Sequence, residues 1–118
     1  MPVRRDPPAA SFLPLTAVVF EILVSLAGED RHGYSILSDI RSRTGEALRP
    51  GSLYRALNRL LEEDLVEELE ERPDPSLDDE RRRYYRLTSL GRQVAEAEAA
   101  RLDAQLKRAR ATLLARRR

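Results

Sequence analysis

Apolar residues run almost without interruption from Leu13 to Ala27, then return at intervals of three and four: Ile36, Leu37 and Ile40, and beyond a break at Gly45, Leu53, Leu57, Leu60 and Leu61. Such spacing predicts helices with one apolar stripe. The first helix starts at a Thr16 cap, runs to about Ala27 and closes at Gly28. Val18, Val19, Phe20, Ile22, Leu23, Val24 and Leu26 leave it scarcely any polar face, so it must be buried on more than one side. In so short a chain this suggests a subunit contact, through Val18 and Ile22, in addition to the domain core. The stretch also holds Pro14, Thr16, Glu21 and Ser25, and is too short to span a bilayer. No small-residue cleavage pattern follows it, so it does not read as a signal peptide.

The next helices are predicted over Gly33–Thr44 and Pro50–Asp64. Pro50 suits a first helical turn, where its missing N–H costs no bond, and Ser52 can satisfy a free N–H there. Apolar positions 65, 66 and 69 predict a strand over Leu65–Leu69, with a second over Arg82–Leu87. Between them lies RPDPSLDDE, a long turn with two prolines and four acids. From Thr88 one helix extends to about Leu114. Its apolar positions, Leu90, Val94 and Ala97 and then Leu102, Leu106, Ala109 and Leu113, follow a heptad with one irregular step. Unpaired, that seam would lie in water, so Leu90, Val94, Leu102, Leu106, Ala109 and Leu113 are expected at a dimer interface.

Two short helices joined by a tight connection form a helix-turn-helix pattern. The outer face of the second is left with Arg49, Ser52, Tyr54, Arg55, Asn58 and Arg59, of which Tyr54, directly after Leu53, either faces the flank or groove or is a half-buried core tyrosine. Arg and Asn match the donors and acceptors of base edges in a major groove, and Ser, Tyr and Arg also reach phosphates. Arg81, Arg82 and Arg83 precede Tyr84-Tyr85-Arg86 at the start of the second strand, a position suited to phosphate or minor-groove contact. Alternation puts Arg82, Tyr84 and Arg86 on one face and Arg81, Arg83 and Tyr85 on the other. Asp78, Asp79 and Glu80 lie next to these arginines and could order the turn through ion pairs.

With His32-Gly33-Tyr34, Gly51-Ser52-Leu53-Tyr54 followed by Leu57, Leu60 and Leu65-Val66, and Arg83-Tyr84-Tyr85-Arg86-Leu87-Thr88 with Gly91-Arg92, the chain resembles the PadR-like transcriptional regulators from about Leu15 to Leu114. The resemblance implies a mainly α fold with a small β-wing, a winged helix-turn-helix followed by a long C-terminal dimerisation helix. It also implies repression by operator binding. Residues 1–12 read as a disordered arm, 13–87 as the DNA-binding domain and 88–115 as the dimerisation helix. His32 is expected to cap or brace the first helix of the motif, Gly33 to allow close helix approach, and Tyr34 to pack with its hydroxyl on a polar partner.

A length of 118 residues fits one domain with a modest core that a partner subunit could extend. Zero Cys excludes disulfides and thiolate metal sites, and one His leaves little for a metal or a general base. Neither a phosphate loop nor a nucleophile–base arrangement is present, so no enzyme activity, metal or cofactor is expected and the location is read as cytoplasmic. The net charge of +1 conceals segregation: residues 62–80 are heavily acidic, whereas 81–83 and 116–118 are all Arg.

The sequence thus points to a homodimeric, sequence-specific repressor on a roughly palindromic double-stranded operator. An architectural DNA-binding protein with little sequence preference, or a coiled-coil adaptor without DNA binding, are the alternatives. Some members of the resembled family bind flat aromatic compounds in a dimer-interface pore lined by tryptophans. This chain has no Trp and 5% aromatic residues, so a small-molecule effector stays unassigned.

Overall fold

In a computed structural model, which describes residues 7–69 and 83–116, local signals set the helix ends. Helix α1 (Ala17–Gly28) begins where the Thr16 hydroxyl accepts the Val19 N–H at 3.2 Å. Helix α2 (Gly33–Thr44) begins where His32 Nδ1 accepts the Ser35 N–H at 3.1 Å. It ends at Gly45, whose φ of 77° turns the chain left-handed while its N–H bonds the Arg41 carbonyl. Pro50 opens helix α3 (Pro50–Glu62), and the Thr88 hydroxyl, accepting the Gly91 N–H at 2.9 Å, opens helix α4 (Ser89–Ala115).

Three short strands, β1 (Arg31–His32), β2 (Val66–Glu68) and β3 (Tyr84–Leu87), form an antiparallel sheet in the order β1-β3-β2. Strand β3 pairs Tyr84 with His32 on one side, and Leu87 with Val66 and Arg86 with Glu67 on the other. Within β3 the expected alternation is seen at Tyr85, which is buried, and Arg86, which is exposed; Arg83 precedes the strand and is exposed, and Arg81 and Arg82 lie outside the described residues. Strand β1 was not expected, because two residues are too few to carry a period and the strand exists only through its pairing with β3.

One core joins every helix to the sheet. Ile22, Leu23 and Leu26 of α1 meet Ile36 and Ile40, Leu53, Leu57 and Leu60, Val66 and Tyr85, and Leu90, Val94 and Ala95. Helix α1 packs against α2, β3 and α4 at once, which answers its nearly continuous apolar surface within one chain. Burial corrects the expected interface accordingly: Ile22 and Val94 are 0% exposed and Leu90 4%, with no surface left for a partner. The first turns of α4 pack on their own domain, and the heptad period cannot distinguish that from a dimer seam. Helix α4 leaves the domain near Leu102, and residues 102–116 are all exposed.

The stretch expected as an arm divides. Residues 1–6 lie outside the described residues, and Ala9–Phe12 form a 3-10 turn that packs against α4. Beyond it, the Leu15 N–H donates to Glu98 Oε2 of α4 at 3.1 Å, and the Arg101 guanidinium closes on the same carboxylate at 3.0 Å. Tyr34 differs from expectation, being 48% exposed and not packed.

Candidate nucleic-acid interface

Leu53, Leu57 and Leu60 are 0–2% exposed, and their burial fixes the rotation of α3. Arg55, Asn58, Arg59 and Glu62 therefore face outward along its length, with Arg49 and Gly51 exposed at its start and Ser52 and Tyr54 half-buried at the margin. The Arg55 guanidinium donates to Ser52 Oγ at 3.3 Å, and Arg59 bonds Glu63 at 3.1 Å. Neither Arg49 nor Arg55 forms an ion pair with a carboxylate among the described residues. The uncompensated positive charge of α3 is thus concentrated in its first half.

Tyr54 reaches across to α2, and its ring lies directly against Gly33. The motif residues before Gly33 join the sheet to the same helix: His32 caps α2 and meets the Tyr84 ring edge-on, centroids 5.3 Å apart. Beneath them Arg31 donates to the Ser25 carbonyl and to Ser35 Oγ, each at 3.0 Å, and stands 3.5 Å from Asp39.

On the wing, Arg81 and Arg82 lie outside the described residues, as do Asp78, Asp79 and Glu80. Arg83 stands 3.4 Å from Glu68, and Arg86 is held by Asp30 at 3.1 Å with Glu67 at 3.9 Å. The acids that meet these two arginines come from β2 and the α1–β1 turn. Sequence reasoning assigned no site role to Arg86, although its place on the outer face followed from alternation. It also passed over the exposed side of α2, where Tyr34, Ser38, Arg41 and Ser42 recur one turn apart with hydroxyl or guanidinium ends. The recurrence of these residues at intervals of three and four was the available signal.

Of the residues expected between subunits, Leu102, Leu106 and Leu113 are 37%, 47% and 72% exposed, Val18 is 38% exposed, and Ala109 lies exposed on the same stretch of α4. Leu102 shares a cleft with Leu15, Ala17 and Phe20, which continues the α4 stripe onto the start of α1. Among the described residues, no helix is long and apolar enough to cross a membrane and no group of three or more His, Cys, Asp or Glu is placed to hold a metal ion.

Comparison with known proteins places this architecture. The model of the transcriptional regulator PadR-like family matches residues 22–97. A curated relative, an uncharacterized 37.1 kDa protein in transposon Tn4556 of Streptomyces fradiae, is 42% identical over 78 residues, 66% of this chain but only 21% of that protein. The chain therefore spans about a fifth of that relative's length. The crystal structure of a PadR family transcription regulator from hypervirulent Clostridium difficile R20291 superposes with a TM-score of 0.70 at 25% identity, covering 83% of this chain and 99% of the other. The structure of RosR from H. salinarum gives a TM-score of 0.62 at 31% identity, covering 82% of this chain and 79% of the other.

Proposed function

The chain belongs to the PadR-like family of transcriptional regulators, and from that membership we propose that it acts in the cytoplasm as a homodimeric repressor on a two-fold symmetric DNA operator. The observation that carries this reading is the outer face of α3, where Arg49, Arg55 and Asn58 are exposed on a helix whose opposite face is locked in the core. Arg55 and Asn58 are one turn apart, so both reach the floor of one major groove, where their donors and acceptors match guanine and adenine edges. Arg49 and Ser52 meet phosphates at the groove wall, and Tyr34, Ser38, Arg41 and Ser42 of α2 follow the adjoining backbone.

The wing acts through charge. Arg83 and Arg86, both exposed, would each meet a phosphate, and the same role is proposed for Arg81 and Arg82, which lie outside the described residues. Exposed ion pairs such as those of Arg83 and Arg59 contribute only about 0–1 kcal/mol, so a phosphate can replace the carboxylate at little cost. Leu102, Leu106, Ala109 and Leu113, together with the exposed Val18, join the two subunits and so set the distance between the two α3 helices.

Duplexes selected from a random library by the purified protein test the reading. Asn58→Ala and Arg55→Ala are each expected to lose about 1–3 kcal/mol on the selected site and to flatten preference at one base position, with little change on random DNA. Equal losses on both DNAs would assign these side chains to phosphates and favour an architectural role. No shift of any duplex would leave the adaptor reading.

A further inference from the structure

The junction between α2 and α3 has no slack at Gly33. A methyl group built there would meet Tyr54 Oη at 2.3 Å, Cζ at 2.9 Å and Cε1 at 3.3 Å, where ordinary contact begins at 3.4 Å. Two ring carbons and the oxygen fixed to them are involved, so rotation of the hydroxyl hydrogen relieves nothing. Gly33 is itself buried, and the residue before it pairs with Tyr84 in the wing strand. The flat Gly33 backbone is therefore the point at which the root of the wing, the start of α2 and the side of α3 converge.

We propose that Gly33 and Tyr54 are positioning residues that set the distance between α3 and the wing strand β3, and with it the ability of the protein to discriminate between DNA sequences. Tyr54 acts here as a spacer braced on α2 and not as a reader of DNA. The buried leucines fix how α3 is rotated, but a helix held by one stripe can still tilt about it. Tyr54 stands beside that stripe, next to Arg55 and one turn before Asn58, and its ring stops the tilt against Gly33. Any side chain at position 33 forces either the ring out onto the DNA-facing surface or the first half of α3 away from the sheet. Both movements misplace Arg55 and Asn58 relative to Arg83 and Arg86. Phosphate contacts tolerate such a shift because they are long-range and redundant; base-edge contacts do not.

The inference rests on the proposed DNA-binding function, and its test separates the two. Wild type, Gly33→Ala, Tyr54→Leu and the double variant are compared for affinity toward a duplex selected from a random library, for affinity toward random DNA, and for thermal melting without DNA. Gly33→Ala is expected to lose tenfold or more in the ratio of the two affinities, with an unchanged salt slope on random DNA. Tyr54→Leu is expected to lower that ratio in the wild-type background and to raise it in the Gly33→Ala background, because there it removes the clash. Melting temperatures should reverse sign in the same way. A loss from Tyr54→Leu in both backgrounds would make Tyr54 a direct DNA contact and overturn the proposal. An unaffected Gly33→Ala protein would do the same. If Gly33→Ala fails to fold, a folded, DNA-binding double variant supports the proposal and an unfolded one overturns it. A wild type without sequence preference would remove the proposed function and with it the claim on discrimination, while the melts would still report whether the brace exists.

Discussion

Glu98 carries the sharpest residue-scale consequence, because the fold takes its carboxylate almost wholly out of water, leaving it 1% exposed. Arg101 and the Leu15 N–H supply the charge-assisted bonds that make this tolerable. The Arg101 hydrogen bond is the main reason that the Glu98 carboxyl titrates below its ordinary value of 4.5, with the Leu15 N–H and the Arg101 charge adding to it against the opposing effect of burial. Because the folded-state value is the lower one, this stabilisation is complete above 4.5 and is lost as the pH falls through the folded value. Glu98→Gln should therefore destabilise the protein at neutral pH by about 1.5 kcal/mol, toward the low end for hydrogen bonds to charged groups because water reaches Arg101. In urea titrations the gap between the two proteins should close as the pH drops below 4.5; a gap that stays constant would show that the charge is not what holds Leu15 to α4. Nothing in the periodicity marks Glu98, since it reads as polar on a charged helix. Only its spacing of three from Arg101 hints at a pair. Tyr34 and Tyr54 were equally illegible: an aromatic at the edge of an amphipathic stripe packs inward or outward according to what faces it, which the sequence of one helix does not contain.

At the scale of elements, much was legible because the boundaries are local. Thr16, Gly45, Pro50 and Thr88 each end or begin a helix by bonding, or by omitting, a backbone group within four residues, and α2 occupies the expected span Gly33–Thr44. Strand β1 was invisible because its partner lies more than fifty residues away. Helix α4 was found but divided wrongly, Leu90 and Val94 being assigned to a second subunit, since a stripe that packs on the home domain and a dimer seam share one period. Gly91 shows how tightly that first segment is docked. A Cβ there would lie 2.0 Å from the Leu65 carbonyl oxygen and 2.7 Å from Leu87 Cδ1, and the first of these is backbone at the root of β2. Alanine is worth up to about 1 kcal/mol over glycine inside a helix, yet overpacking typically costs about 1–3 kcal/mol, and here the obstacle cannot rotate away. Gly91→Ala is expected to destabilise the protein by about 1–3 kcal/mol in chemical denaturation. Gly51→Ala, whose Cβ would meet only Arg55 Nη1 at 3.6 Å, should be neutral or mildly stabilising. Equal effects at the two positions would mean that α4 shifts freely over β2.

For the whole molecule the question is what the far half of α4 is for. From Leu102 to Ala115 the helix projects ~20 Å beyond the core, and every residue of this stretch is exposed. Leu102, Leu106, Leu113 and Leu114 stand 37–72% exposed along it. A solvated helix of that length is marginal by itself, so the exposed leucines support the proposed pairing with a second copy of the same stripe. The domain core is complete without them, and this separates assembly from folding in a way that can be measured. In Leu102→Asp/Leu106→Asp each subunit should keep its melting transition and its affinity for a single half-site, because neither leucine touches the α3 face. Sedimentation should show a monomer, and affinity for a full two-fold site should fall toward that for the half-site, since the second domain is no longer delivered at high effective concentration. A stable dimer in this variant would place the subunit contact elsewhere. Collapse of the single-domain melt would mean that the exposed half of α4 is part of the fold after all.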